Sequence, residues 1–394
     1  MPIASAVQEA LGSASLIRKM FEEGNQLKKQ YGPDNVFDFS LGNPDIEPPP
    51  EFHRVFVKLA QEDAKGSHGY MPNGGYPEVR DALAAKAGKE HGVCLEGSHI
   101  IMSVGAAGGL NVVFKAILNP EDEVIVSSPY FMEYRGYIGN HQGRIVEVEA
   151  LPDFNLDVSA IKERLSEKTA AVLINSPHNP TGRIYPAETI DALGSALKAH
   201  GDRCGRLPYL IADEPYREIA YNNIQVPPIL SAYSESLVVT SYSKSLSLPG
   251  ERIGYIAVSP GIQDKQEVLN ALIYATRTLG FVNAPALMQR IVGELTFERV
   301  DIGIYARRRD CFKQVLDGAG IKYAEPEGAF YLFCQVPGGE DSAFVAHLKK
   351  HLILGVPGRG FGRPGWVRFA YCVDEHIIQG SAEAFKKAME TWKF

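Results

Sequence analysis

The chain has 394 residues, of which 45% are apolar and 22% charged, and a formal net charge of −7. That length can bury a large core and predicts two domains. The acidic balance argues against a nucleic-acid surface, which is normally basic; the tightest basic group, Arg307-Arg308-Arg309, reads as a solvated helix face.

The N-terminus lacks a basic, apolar and small-residue succession, so no signal peptide is expected. A helical pattern runs through Leu16-Ile-Arg-Lys-Met-Phe and ends at Gly32-Pro33. Pro44 to Pro50 read as an extended linker. From Glu51 to about Phe281, helical patterns alternate with short apolar strands. These are Ile100–Ser103, Glu123–Ser127, Ile145–Val148, Ala171–Ile174, Tyr209–Ala212, Leu237–Thr240 and Gly254–Val258. The alternation predicts an α/β fold, with a mostly parallel central sheet and helices on both faces. After Ala284-Pro285 helices dominate, broken by strands near Phe330 and Trp366, which predicts a smaller α+β domain. The expected division is an N-terminal segment, 1–45, packing with the small domain; a large α/β domain, 46–285; and a small C-terminal domain, 286–394.

No apolar run approaches the ~18 residues needed to span a membrane. Cys94, Cys204, Cys311, Cys334 and Cys372 are odd in number, well separated and in no CxxC pair. They read as reduced thiols of a cytoplasmic protein, and no metal site is expected. Gly360-Phe-Gly-Arg-Pro-Gly365 matches GxGxxG but opens onto a strand-like run, so it is a false dinucleotide match.

Four segments carry chemistry. Ser236-Leu-Val-Val-Thr240 leads into Ser241-Tyr-Ser-Lys244, and Arg252 follows. A lysine at a strand end, among hydroxyls, is able to form a Schiff base with a carbonyl cofactor, while a serine and an arginine suit a phosphate; a plain surface lysine is the alternative. Ala171-Val-Leu-Ile-Asn175 runs into Ser-Pro-His-Asn179-Pro, a rigid turn that aims the Asn179 amide. Tyr209-Leu-Ile-Ala-Asp213-Glu-Pro-Tyr216 delivers a carboxylate and a phenol to a strand end. In Gly365-Trp-Val-Arg368-Phe-Ala, a charge sits inside an apolar run, which is costly unless it is paired or meets an anion. Ligands of parallel sheets bind beyond the carboxyl ends of the strands, where Asn179, Asp213 and Lys244 fall.

Together with Leu41-Gly42-Asn-Pro44-Asp45, Tyr70-Met-Pro-Asn-Gly-Gly, Val104-Gly105-Ala-Ala-Gly-Gly109, Asn179-Pro-Thr-Gly182 and Glu327-Gly-Ala-Phe-Tyr331, these segments resemble the class I/II aminotransferases. Those are the fold-type I pyridoxal-phosphate enzymes related to aspartate aminotransferase. The resemblance implies a cofactor, pyridoxal 5′-phosphate, on Lys244, with Asp213 against its ring nitrogen. Asn179 and Tyr216 would hydrogen-bond its phenolic oxygen, and Tyr130 would stack on its ring. Gly105, Ala106 and Ala107 would offer backbone N–H groups to the phosphate, helped by Ser241 and Arg252. Tyr70 would reach the phosphate of a neighbouring subunit, implying a homodimer. Arg368 would grip the substrate α-carboxylate, and Gly42 would allow close approach. Arg277 and Arg18 are candidates for reading a distal carboxylate, with a plain surface arginine as the alternative. The implied reaction moves an amino group from an aspartate- or alanine-like L-amino acid to a 2-oxo acid such as 2-oxoglutarate, by ping-pong exchange. A C–S β-lyase, an amine-eliminating synthase and an aromatic amino acid aminotransferase stay open, because fold and cofactor do not fix reaction type. A cofactor-sensing regulator is disfavoured, since the match begins near residue 40 and the charge is wrong for DNA.

Overall fold

The computed structural model of the chain describes residues 3–4, 7–8 and 16–393. The strands, in chain order, are β1 (Phe37–Asp38), β2 (Ile100–Ser103), β3 (Glu123–Ser128), β4 (Arg144–Glu149), β5 (Thr169–Asn175), β6 (Tyr209–Asp213), β7 (Ser236–Ser241), β8 (Gly254–Val258), β9 (Tyr331–Gln335), β10 (Ile353–Leu354), β11 (Val356–Pro357) and β12 (Trp366–Ala370). Seven form one sheet, in the order β2-β8-β7-β6-β5-β3-β4. Its pairings are parallel from β7 through β4, and β8 runs antiparallel to both neighbours. The chain therefore adopts the expected α/β fold.

The alternation of side chains explains why these strands read as continuous apolar runs. In β5, Ala171 and Leu173 join one buried cluster while Val172 and Ile174 join another. Leu210 and Ala212 of β6 likewise part from Ile211. Both faces of the sheet are covered, so neither set of alternate positions can be polar. The edge strand β4, Arg-Ile-Val-Glu-Val-Glu, is the exception: its charged positions are exposed. Charges on an edge discourage pairing with a further strand.

A three-stranded antiparallel sheet, β11-β12-β9, and the parallel pair β1-β10 lie apart from the large sheet. Phe37 pairs with Ile353, which ties the N-terminal segment to the C-terminal third of the chain. A third cluster gathers Phe39, Phe312, Phe330, Phe344, Phe369 and Phe385 there. Helix Ile302–Gly318 crosses it and corrects one expectation. Arg308 and Arg309 are buried, at 7% and 6% exposure, instead of solvated. Arg308 makes a two-pronged pair with Asp45 at 2.5 and 3.0 Å, and Arg309 lies 4.5 Å over the Tyr221 ring. The Asp45 pair pins the segment that leads away from Gly42. Among the described residues, no helix is long and apolar enough to cross a membrane.

Candidate active site

Three adjacent parallel strands end side by side, in Asn175 (β5), Asp213 (β6) and Ser241 (β7). Each apolar run ends in a polar residue, and all three line one cavity of about 520 Å³. Asn175 ties the ends together. Its Nδ2 donates to the Asp213 carbonyl at 2.7 Å, and its Oδ1 accepts from the Asn179 backbone N–H at 2.7 Å. The turn Tyr242–Ser245 after β7 carries Lys244 into the same cavity. Helix Gly105–Ile117 begins beside it, with Ala106 and Ala107 in the lining. Gly105 has φ +69°, and a Cβ there would lie 2.6 Å from Arg252 Nη2. A side chain at 105 would thus be strained and would displace the arginine.

Lys244 Nζ donates to the Gly42 carbonyl at 2.7 Å. Burial pulls its pKa down to about 8; Cys372 opposes this, and Arg368 and Arg252 add to it. Roughly one amine in four is then neutral at pH 7.5, against about one in a thousand for an ordinary lysine. A desolvated amine of this kind is a competent nucleophile. Asp213 is displaced in the other direction. Burial pushes its pKa up to about 7, opposed by the Tyr134 hydroxyl and reinforced by Glu214. Tyr134 Oη donates to Asp213 Oδ2 at 2.5 Å, while the buried Oδ1 has no partner. An unpaired, buried carboxylate oxygen on a cavity wall is a place for a cation.

Arg368 is 2% exposed. Its Nη2 donates to the Ser40 carbonyl at 2.6 Å and its Nη1 to Asn179 Oδ1 at 3.0 Å, and Nε is unpartnered. The guanidinium lies 4.5 Å over the Tyr331 ring and 4.8 Å over that of Phe361. Burial pulls its pKa down, opposed by the phenols of Tyr331 and Tyr216 and by Cys372. Among the described residues no carboxylate pairs with this charge, which suits the site to an anion.

The cavity thus brings together Gly42, Ala106, Ala107, Asn179, Asp213, Tyr216, Ser241, Lys244, Arg252 and Arg368. Tyr130 is not among them. Its hydroxyl accepts from Arg135 Nε at 2.7 Å and donates to Glu147 Oε1 at 3.0 Å, so it is held against β4. Phe131, the next residue, lines the cavity instead. Tyr70 is 95% exposed and borders a separate surface cavity with Phe281 and Val282. Arg277 lies 5.6 Å over the Tyr274 ring, outside the cavity lining of its own chain. The side chain of Arg18 lies outside the described residues. Gly42 has a second reason to be glycine, because a Cβ there would overlap the Tyr331 hydroxyl. Sequence reasoning gave no role to Phe131, Tyr134, Asn175 or Tyr331. Asn175 carried a signal, as the polar end of an apolar run. Tyr134 carried none, since its partner Asp213 is 79 residues away.

The sequence profile of the family described as aminotransferase class I and II matches residues 34–385. The aspartate/prephenate aminotransferase of Thermus thermophilus is 31% identical over 361 residues, covering 89% of this chain and 90% of that one. An aminotransferase structure from Eubacterium rectale superposes with a TM-score of 0.96 at 39% identity, over 100% of both chains. The aspartate aminotransferase of Thermus thermophilus with maleate gives 0.85 at 27% identity, over 98% of this chain and 100% of the other. A profile that spans nearly the whole chain, and carries its cavity-lining residues with it, means that the chain belongs to the class I and II aminotransferase family.

Proposed function

We propose that the chain binds pyridoxal 5′-phosphate through Lys244 and transfers an amino group from an L-amino acid to a 2-oxo acid, with 2-oxoglutarate as acceptor. The observation that carries this is Asp213, whose buried Oδ1 is unpartnered on the wall that also holds the Lys244 amine. That donor set fits a phosphorylated pyridine aldehyde. When bound, the cofactor supplies an electron sink conjugated to the substrate's α-carbon.

Every other part of the reaction falls to the chain. Lys244 Nζ, whose pKa is lowered to about 8, would hold the cofactor covalently and, once freed, would carry the α-proton of the substrate. Asp213 would ionise against a protonated ring nitrogen and hold the proton there. Asn179 has its Oδ1 taken by Arg368, which would leave Nδ2 to donate to the ring oxygen, the role proposed also for Tyr216. Phosphate would rest on the N–H groups of Gly105, Ala106 and Ala107, with Ser241 and Arg252. Phe131, which lines the cavity, would take the stacking role that the resemblance assigned to Tyr130. Relatives named for aspartate and prephenate support an acidic donor, and a distal carboxylate needs a cation beyond Arg252 and Arg368. A large domain over 46–285 and a small one over 286–394 with segment 1–45 remain our division; the separate apolar clusters support two domains and place Phe39 of that segment with the small one, while Met288, Ile291, Val292 and Leu295 pack with the large domain's cluster. The five free cysteines support a reducing, cytoplasmic setting.

Arg368→Ala tests the α-carboxylate role. Because every donor carries that group, kcat/KM should fall for all amino acids alike. A desolvated bidentate pair is worth about 2–5 kcal/mol, so the loss should be roughly 30-fold to several thousandfold. A loss confined to dicarboxylic donors would assign Arg368 to the distal group.

Tyr70 would serve the partner's site in a homodimer. Subunits carrying Tyr70→Phe, mixed with subunits carrying Lys244→Ala, test this. A mixed dimer would hold one site with both lesions and one with neither, so about half the native activity per mixed dimer should return. No recovery would place Tyr70 outside the partner's site.

A further inference from the structure

Tyr331 touches two of the groups to which the proposed function gives roles. It opens β9, and Arg368 lies on the paired strand β12. Tyr331 pairs with Ala370, and Arg368 sits two positions before that residue. The two side chains are therefore diagonal neighbours on one face of the small sheet. The Arg368 guanidinium rests 4.5 Å over the Tyr331 ring. At its other end, Tyr331 Oη lies 2.7 Å from Tyr216 Oη, both residues being buried. The two rings meet edge-on at 5.7 Å, which fixes their relative orientation. Glycine at 42 leaves the room that this hydroxyl occupies.

Each phenol has one proton to give. If Tyr216 gave its proton to Tyr331, it would have none left for a ring oxygen. A negatively charged oxygen beside Tyr216 therefore sets the direction: Tyr331 must donate to Tyr216, and Tyr216 must donate onward. We propose that Tyr331 is a positioning residue that acts on the cofactor's ring oxygen through Tyr216, while its ring carries the arginine that receives the substrate. This rests on the reading of the site as a pyridoxal-phosphate site.

A donor that itself accepts a hydrogen bond is polarised, which strengthens the bond it gives by about 10–30%. A stronger bond to the ring oxygen favours its anionic form, so the proton shared at the covalent link to Lys244 is held less tightly. Removing the Tyr331 hydroxyl should reverse this and raise the pH at which the bound cofactor changes colour.

The test is an absorbance titration of chains loaded with pyridoxal phosphate, without substrate. Tyr331→Phe should move the midpoint up by about 0.5 pH units. Tyr216→Phe should move it further, and the double variant should match Tyr216→Phe alone, because the path runs through Tyr216. An unmoved midpoint in Tyr331→Phe, or shifts that simply add, would overturn the relay while leaving the site's reading intact. A wild-type chain that takes up no pyridoxal phosphate would overturn both. If Tyr331→Phe does not fold, Gly42→Ala replaces it. The added Cβ displaces the Tyr331 hydroxyl and should raise the midpoint; no shift there would overturn the relay.

Discussion

Lys244→Ala is expected to lower turnover by at least about 10⁴-fold, the loss of a nucleophile and a proton carrier in one residue. Among the described residues, the amine is the one lysine nitrogen in the cavity lining, and its pKa is drawn down to about 8. Its backbone stands on the turn Tyr242–Ser245, and Gly42 supplies a carbonyl that receives its proton at 2.7 Å. The variant keeps Asp213, Arg252 and the helix start at Gly105, so it should still take up pyridoxal phosphate without a covalent link. Absorbance after gel filtration reads that uptake. In the wild-type chain, borohydride reduction followed by peptide mapping should mark Lys244. A mark on any other lysine, or turnover within tenfold of wild type, would remove Lys244 from the reaction.

What could be read from the sequence follows how local each signal is. Asn179, Asp213 and Lys244 were legible because a buried strand cannot hold polar residues until it ends, so the apolar runs mark the rim of the sheet. Arg368 was legible for a related reason: a charge inside an apolar strand needs an anion. Tyr130 and Phe131 show where this fails. Both are aromatic and lie between the end of β3 and the helix Glu133–Gly139. Which of them lines the cavity depends on Arg135 and Glu147, which hold the buried Tyr130 hydroxyl, and on no periodicity. Two members of the triplet at 307–309 failed in the same way: Arg307 is exposed as expected, but the burial of Arg308 and Arg309 goes with Asp45 and Tyr221, each distant in sequence. Tyr331 lay in a quoted motif, yet its contacts with Tyr216 and Arg368 come from the pairing of β9 with β12. Positions marked by one strand end can be read from the sequence, and contacts that join two distant segments cannot.

Asp213→Ala should abolish most single-turnover chemistry, by about 10³-fold or more, because an uncharged site no longer holds the ring nitrogen protonated and the electron sink is lost. Asp213→Glu keeps the charge and should retain far more activity. A stability measurement separates this role from simple packing. Without a cation beside it, the Asp213 carboxyl titrates near 7 instead of near its ordinary 3.8, chiefly because it is buried. That gap corresponds to about 4 kcal/mol. Between about pH 4 and pH 7 the folded, cofactor-free chain holds a proton that the unfolded chain has released, so stability at this site falls as pH rises through that window and is level above it. Asp213→Asn keeps the shape and removes the ionisation. The cofactor-free variant should therefore melt higher than wild type at pH 8, and the two should converge near pH 4. Pyridoxal phosphate should reverse the order at pH 8, because a protonated ring nitrogen turns the costly carboxylate into half of an ion pair. Melting curves at both pH values, with and without cofactor, read all four cases. If Asp213→Asn lowered the cofactor-free melting point at pH 8, the carboxylate would be a stabilising part of the fold, and its role as the waiting partner of a cation would be wrong.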